Sequence, residues 1–177
     1  MFRNLAVLLL VAVALGGCVL ESTAPLFAEA QGMLVVGSSP PAMAAWNLKD
    51  GEWVRSGPDD PPLQLVAEGH HYSAVIPDKP GQQMTMLFVP LAGGSYAMQV
   101  GATNETNITY VIATIQGGDI LVSPLFCTDL KTAKARPSNI VYDHDSCLVV
   151  GVKDATTFMA DLARIAPAPD LKLAPLR

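Results

Sequence analysis

From Gly32 onward the chain is cut into apolar runs of four to eight residues, each bounded by Gly, Pro, Asn or Asp. Runs of that length cannot make the long amphipathic helices of a bundle; they suit β-strands joined by tight turns. Met33 to Val36 is the first candidate. Ala45 to Leu48 and Glu52 to Arg55 flank Lys49-Asp50-Gly51, where Asp-Gly supplies the positive φ of a tight hairpin, and the reading puts Trp46 and Trp53 on its buried face. Pro58 to Pro62, with three prolines and two aspartates, reads as a surface loop. Leu63 to Ala67, Tyr72 to Ile76, Met84 to Val89, Ser95 to Val100, Ile108 to Ile115 and Ile120 to Phe126 then follow at meander spacing. Ile108 to Ile115 is apolar on both faces and is therefore expected in the centre of the sheet.

Asn139 to Tyr142 and Ser146 to Val150 add late strands, after which the period changes. Phe158, Leu162, Ile165 and Ala166 recur at helical spacing behind Asp154, an N-cap residue, and Pro167 ends the run. The fold expected is α+β: a mainly antiparallel sheet with one C-terminal amphipathic helix packed on it. Residues 33–166 are read as a single β-rich domain and 167–177 as an extended tail. Half of the residues are apolar and 15% are charged, enough for a real core in one domain.

The amino terminus follows a different logic. Met1-Phe2-Arg3-Asn4 carries one positive charge and precedes an unbroken apolar run from Leu5 to Leu15. That is the layout of an export signal, and the run is shorter than the roughly 20 residues a bilayer-spanning helix needs. The run closes on Leu15-Gly16-Gly17-Cys18, which resembles the bacterial lipobox: an aliphatic residue, two small residues, then cysteine. The resemblance implies that residues 1–17 are a lipoprotein signal peptide and that Cys18 becomes the first residue of the mature chain. It further implies a diacylglycerol on the Cys18 thiol and a fatty acyl group such as palmitate on the new amine. Residues 18–32 are then the lipidated N-terminus and a tether, whose Leu26 and Phe27 can dock on the body. Val19, in place of an aspartate, resembles the sorting pattern for the outer membrane in two-membrane bacteria, with the domain in the periplasm.

With Cys18 assigned to lipid, Cys127 and Cys147 remain, and an even count in an exported chain points to a disulfide. Closing about 20 residues contributes roughly 3 kcal/mol on the chain-entropy view. A metal or redox pair is disfavoured, because such cysteines usually sit two to four residues apart.

Net charge is −5 and falls to −6 without Arg3, and the densest basic stretch, Lys131, Lys134 and Arg136, lies beside Asp129. Nucleic acid is therefore not an expected partner. His70, His71 and His144, the last between Asp143 and Asp145, are the candidates for a metal. Adjacent strand residues point to opposite faces, so His70 and His71 cannot easily share one ion, and no metal is assigned. Ser38, Ser39 and Ser95 follow glycines but lack the nucleophile-elbow pattern, so no catalytic residue is assigned. Asp59, Asp60 and Glu68 read as a solvated acidic group, and Asn104 to Asn107 as a hairpin turn. Phosphate-binding glycine loops are absent, and no cofactor is expected.

These features point to a lipid-anchored cell-envelope lipoprotein. It would be a non-enzymatic binding or assembly module, with the membrane as one partner and an envelope protein as another. Two alternatives are an envelope hydrolase using a metal at the histidines and aspartates, or a binder of a small apolar ligand in a cavity lined by Met84, Met86 and Met98.

Overall fold

The computed structural model describes residues 18–57, 61–75, 83–103, 105–133, 137–143 and 146–176. The signal segment 1–17, Asp59, Asp60, Asn104, Lys134, Arg136, His144 and Asp145 lie outside the described residues.

Mostly antiparallel β-structure is what the chain forms. In chain order the strands are β1 (Leu20–Ser22), β2 (Met43–Lys49), β3 (Glu52–Arg55), β4 (Gln64–Glu68), β5 (His71–Val75), β6 (Gln83–Pro90), β7 (Ser95–Ala102), β8 (Ile108–Gln116), β9 (Asp119–Pro124), β10 (Ile140–Asp143), β11 (Ser146–Val149) and β12 (Leu171–Pro175). The main path runs β3-β2-β12-β9-β8-β7-β6-β5-β4. The start of β2 meets the chain entering β4, because Met43 and Leu63 exchange backbone hydrogen bonds of 2.9 and 2.8 Å. Eight strands, β2, β12 and β4 to β9, thus close into a barrel, with β3 extending β2 as a hairpin arm. An eight-stranded barrel is just wide enough for side chains to fill it.

Strand alternation sorts the apolar residues into two cores on opposite sides of this sheet. The interior core gathers Met43, Tyr72, Met84, Met86, Phe88, Met98, Val111, Ala113, Ile120, Val122, Leu171 and Leu173. Tyr72 and Phe88 meet edge to face there, with centroids 6.0 Å apart. The outer core sets Leu87, Ala97, Tyr110 and Ile112 from the other face against Leu20, Phe27, Leu125, Leu130, Cys147, Phe158, Met159 and Leu162. β8 sends Val111 and Ala113 inward and Tyr110 and Ile112 outward, which is why the middle of its sequence is buried on both faces.

Turn chemistry follows the residues. Asp50 and Gly51 both have positive φ, 51° and 85°, as the two-residue hairpin between β2 and β3 requires. Trp46 and Trp53 flank Lys172, whose Nζ lies 5.1 and 5.0 Å from their ring centroids and 3.9 Å from Asp119 Oδ2. The helix Ala155–Ala163 is capped by Asp154, which accepts from the Thr157 amide at 3.0 Å. It buries Phe158, Met159 and Leu162.

Three expectations are corrected. Met33 to Val36 is no strand: Leu34, Val35 and Val36 pack on the interior core as a loop, and the Val36 amide donates to the Tyr72 hydroxyl at 3.0 Å. The tail 167–177 is not peripheral, since Leu171–Pro175 forms β12 between β2 and β9 and buries Leu171 and Leu173. The tether 18–32 is likewise part of the body. Val19, Leu20 and Phe27 are buried, and β1 lies between β8 and β11.

Because β12 closes the barrel, Leu173→Ala should cost about 2–5 kcal/mol in urea unfolding. A chain ending at Asp170 should lose the cooperative transition. A truncated chain as stable as the full one would refute the placement of β12.

Candidate functional site at the amino-terminal cysteine

β9 ends at Pro124, opposite Val111, and leaves the first residues of β8 without that neighbour. β1 takes the vacant place: Glu21 and Ser22 pair antiparallel with Thr109 and Ile108, while Leu20 and Glu21 pair parallel with Cys147 and Leu148. The incoming segment is then fixed by side chains. The Tyr110 hydroxyl accepts from the Leu26 amide at 2.9 Å, lies 3.0 Å from Ser22 Oγ and donates to Gln99 Oε1 at 3.2 Å. The Phe27 amide donates to the same Gln99 oxygen at 3.2 Å, and Asn107 Nδ2 donates to Glu21 Oε2 at 2.8 Å. Burial pushes the Tyr110 phenol above its ordinary value, against the lowering effect of the bonds from Ser22 and Leu26.

This register delivers Cys18 to the other two cysteines. The Cys18 carbonyl accepts from the Cys127 amide at 2.6 Å, and Val19 bridges Phe126. Cys127 opens the short helix Cys127–Thr132, and Cys147 sits in β11 opposite Tyr142. Cα separations are 5.3 Å for Cys18–Cys127 and 5.5 Å for Cys127–Cys147, both within disulfide reach. All three Sγ atoms lie within 4.8 Å of one another, the one cluster of at least three metal-capable groups among the described residues. Cys127 stands in bonding geometry with both neighbours, yet a sulfur forms a single disulfide, so one cysteine of the three is always left over. Cys127 and Cys147 are buried, and Cys18 is the partly exposed member. Around the cluster, Lys131 Nζ lies 6.0 Å from the centre of the Tyr142 ring.

The remaining candidates do not converge. His71 Nδ1 is 3.1 Å from Glu29 Oε1 and its Nε2 is 3.6 Å from Glu68 Oε2, while Ser73 Oγ donates to Glu68 at 2.8 Å. Those contacts tie the segment after β1 to the β4–β5 hairpin. His70 Nδ1 lies 3.2 Å from the Gly32 carbonyl instead. Asp143 is on β10, which pairs with β11, whereas His71 is on β5 in the barrel. Ser38 and Ser39 are exposed loop residues, and the Ser95 hydroxyl donates to the Ala92 carbonyl. Met84, Met86 and Met98 are buried inside the barrel.

Counting the cysteines in sequence anticipated a pair and assigned the third elsewhere. What it missed was the meeting of all three. The available signal was the apolar Val19-Leu20 next to Cys18, which is costly to leave in water. No known protein family, curated protein or solved structure matches this chain.

Two measurements test the arrangement. Tyr110→Phe should destabilise by about 1–3 kcal/mol, because the Leu26 amide and Gln99 lose a buried partner. A raised folded-state phenol pKa favours folding below the unfolded value near 10, and that contribution is lost as pH rises through the folded value. Stability above pH 10 should therefore fall more steeply in the wild type than in Tyr110→Phe; parallel curves would contradict it. For the cysteines, Cys127→Ser removes both pairings whose geometry the structure shows and should cost about 3 kcal/mol under oxidising conditions. In a chain with a free Cys18 thiol, Cys147→Ser should cost less, since Cys127 can still bond Cys18. Once Cys18 is blocked, the two variants should become equal.

Proposed function

We propose that this chain is a bacterial lipoprotein. Residues 1–17 direct export, Cys18 carries a thioether-linked diacylglycerol, and Cys127 and Cys147 form the disulfide. The observation that carries the reading is Leu15-Gly16-Gly17-Cys18 at the close of an apolar run. The count of sulfurs supports it: three cysteines cluster, one bond is available, and the partly exposed Cys18 is the one that acylation would remove from competition. Among the described residues no helix is long and apolar enough to cross a membrane. Two or three acyl chains would supply the hold, at about 0.8 kcal/mol per buried CH₂.

In this reading the domain sits in the cell envelope, at the outer membrane facing the periplasm. It is a binding or assembly module for another envelope component, and the C-terminal helix Ala155–Ala163 packs as the cover of the outer core. The separation of His71 from Asp143 and the bonding of Ser95 to backbone favour this class over a hydrolase.

Mass spectrometry of the N-terminal peptide from membranes should find Cys18 as the first residue with a diacylglyceryl mass. Cys18→Ser should shift the protein from the membrane to the soluble fraction. An unmodified Cys18 in membrane-derived protein would overturn the anchor. In-cell crosslinking should capture one envelope partner with the anchored form and not with Cys18→Ser; no specific capture would count against the binding module.

A further inference from the structure

We infer that the folded domain rests directly on the bilayer through the face around Cys18, with no tether between lipid and body. The inference depends on the lipid-anchor reading above and adds an orientation to it. Its basis is the length of free chain behind the acylated residue, which is zero. Val19 and Leu20 are 3% and 0% exposed, Leu20 is already in β1, and even the Cys18 carbonyl is held by the Cys127 amide. A diacylglyceryl group puts its esters at the hydrocarbon boundary, and a single thioether joins it to Cys18 Cβ. A backbone fixed at that carbon cannot stand off from the surface. The surrounding protein must lie at headgroup depth.

The residues at that face are of the types that tolerate this depth. Tyr142, half-buried, stands opposite Cys147 on β10, and exposed Lys131 reaches over its ring. Lysines with long apolar stems lie well at the membrane interface, and an ammonium there meets lipid phosphate. Asp129 and Asp143 are exposed on the same two elements and offset the charge of Lys131. The seating is therefore held by the anchor rather than by net charge, and it should be insensitive to salt.

The test uses the acylated protein in vesicles of phosphatidylethanolamine and phosphatidylglycerol, with Lys131 probed by an amine reagent and Tyr142 by hydroxyl-radical footprinting. Labelling should fall several-fold relative to soluble Cys18→Ser, unchanged by added salt. It should recover when a flexible Gly/Ser spacer is inserted between Cys18 and Val19, which keeps the lipid and frees the body. Equal labelling of the acylated, vesicle-bound wild type and the soluble variant would overturn the orientation while leaving the anchor standing. Absence of the acyl mass on Cys18 would instead remove the anchor, and the orientation with it.

Discussion

β8 has no wet face, and the rest of the structure is arranged around that constraint. Val111 and Ala113 need an apolar layer on one side, Tyr110 and Ile112 on the other. A sheet closed on itself satisfies the first, because the barrel wraps the interior residues in their own neighbours. It leaves the second exposed. The outer core therefore has to be assembled from whatever lies outside the barrel: β1, the segment through Phe27, the short helix at Cys127, β11 and the buried stripe of the helix Ala155–Ala163. At roughly 25 cal/mol per Å² of apolar surface, leaving the outer face of β6 to β8 bare would cost several kcal/mol, comparable to a small domain's net stability.

How much of this was legible in the residues depends on range. The meander from β4 to β9 and the Asp50-Gly51 hairpin are local, each strand pairing with the next through turns whose residues announce them. β12 is not local. Leu171 and Leu173 do alternate with Lys172, but the stretch is short and flanked by prolines, and its partners β2 and β9 are far back in the chain. Pro175 is tolerated because it is the strand's last residue, opposite Met43 at the start of β2. β1 is shorter still, three residues with no readable period, and only its two partners give it a register. Met33 to Val36 failed in the opposite direction. Its apolar run is real and its burial is real, but the backbone hydrogen bonds go to Phe88 and to the Tyr72 hydroxyl rather than into a ladder.

The cysteines repeat the pattern. Pairing Cys127 with Cys147 needed only an even count and a loop of reasonable length, and the geometry of that pair is present. The presence of Cys18 beside them came from the same long-range placement that made β1 unreadable, since Leu20 lies opposite Cys147. Spacing rules for thiol sites are local rules, and a cluster drawn from residues 18, 127 and 147 escapes them.

That placement changes what an anchor at Cys18 would do. A lipid on a flexible leader pulls on string, and force or local unfolding at the leader leaves the body intact. Here the residue next to Cys18 is core, its backbone is bonded to the helix at Cys127, and the strand after it supports the outer face of β8. Extracting the lipid from a bilayer would load β1, whose loss would uncover Tyr110 and Ile112 together. A disulfide between Cys127 and Cys147 would join the short helix, whose preceding residue Phe126 bridges Val19, to β11, which pairs with β1, and both sulfurs are shielded from reductants in solution. Such a bond would sit where an anchored domain carries its load, and its burial would keep it closed.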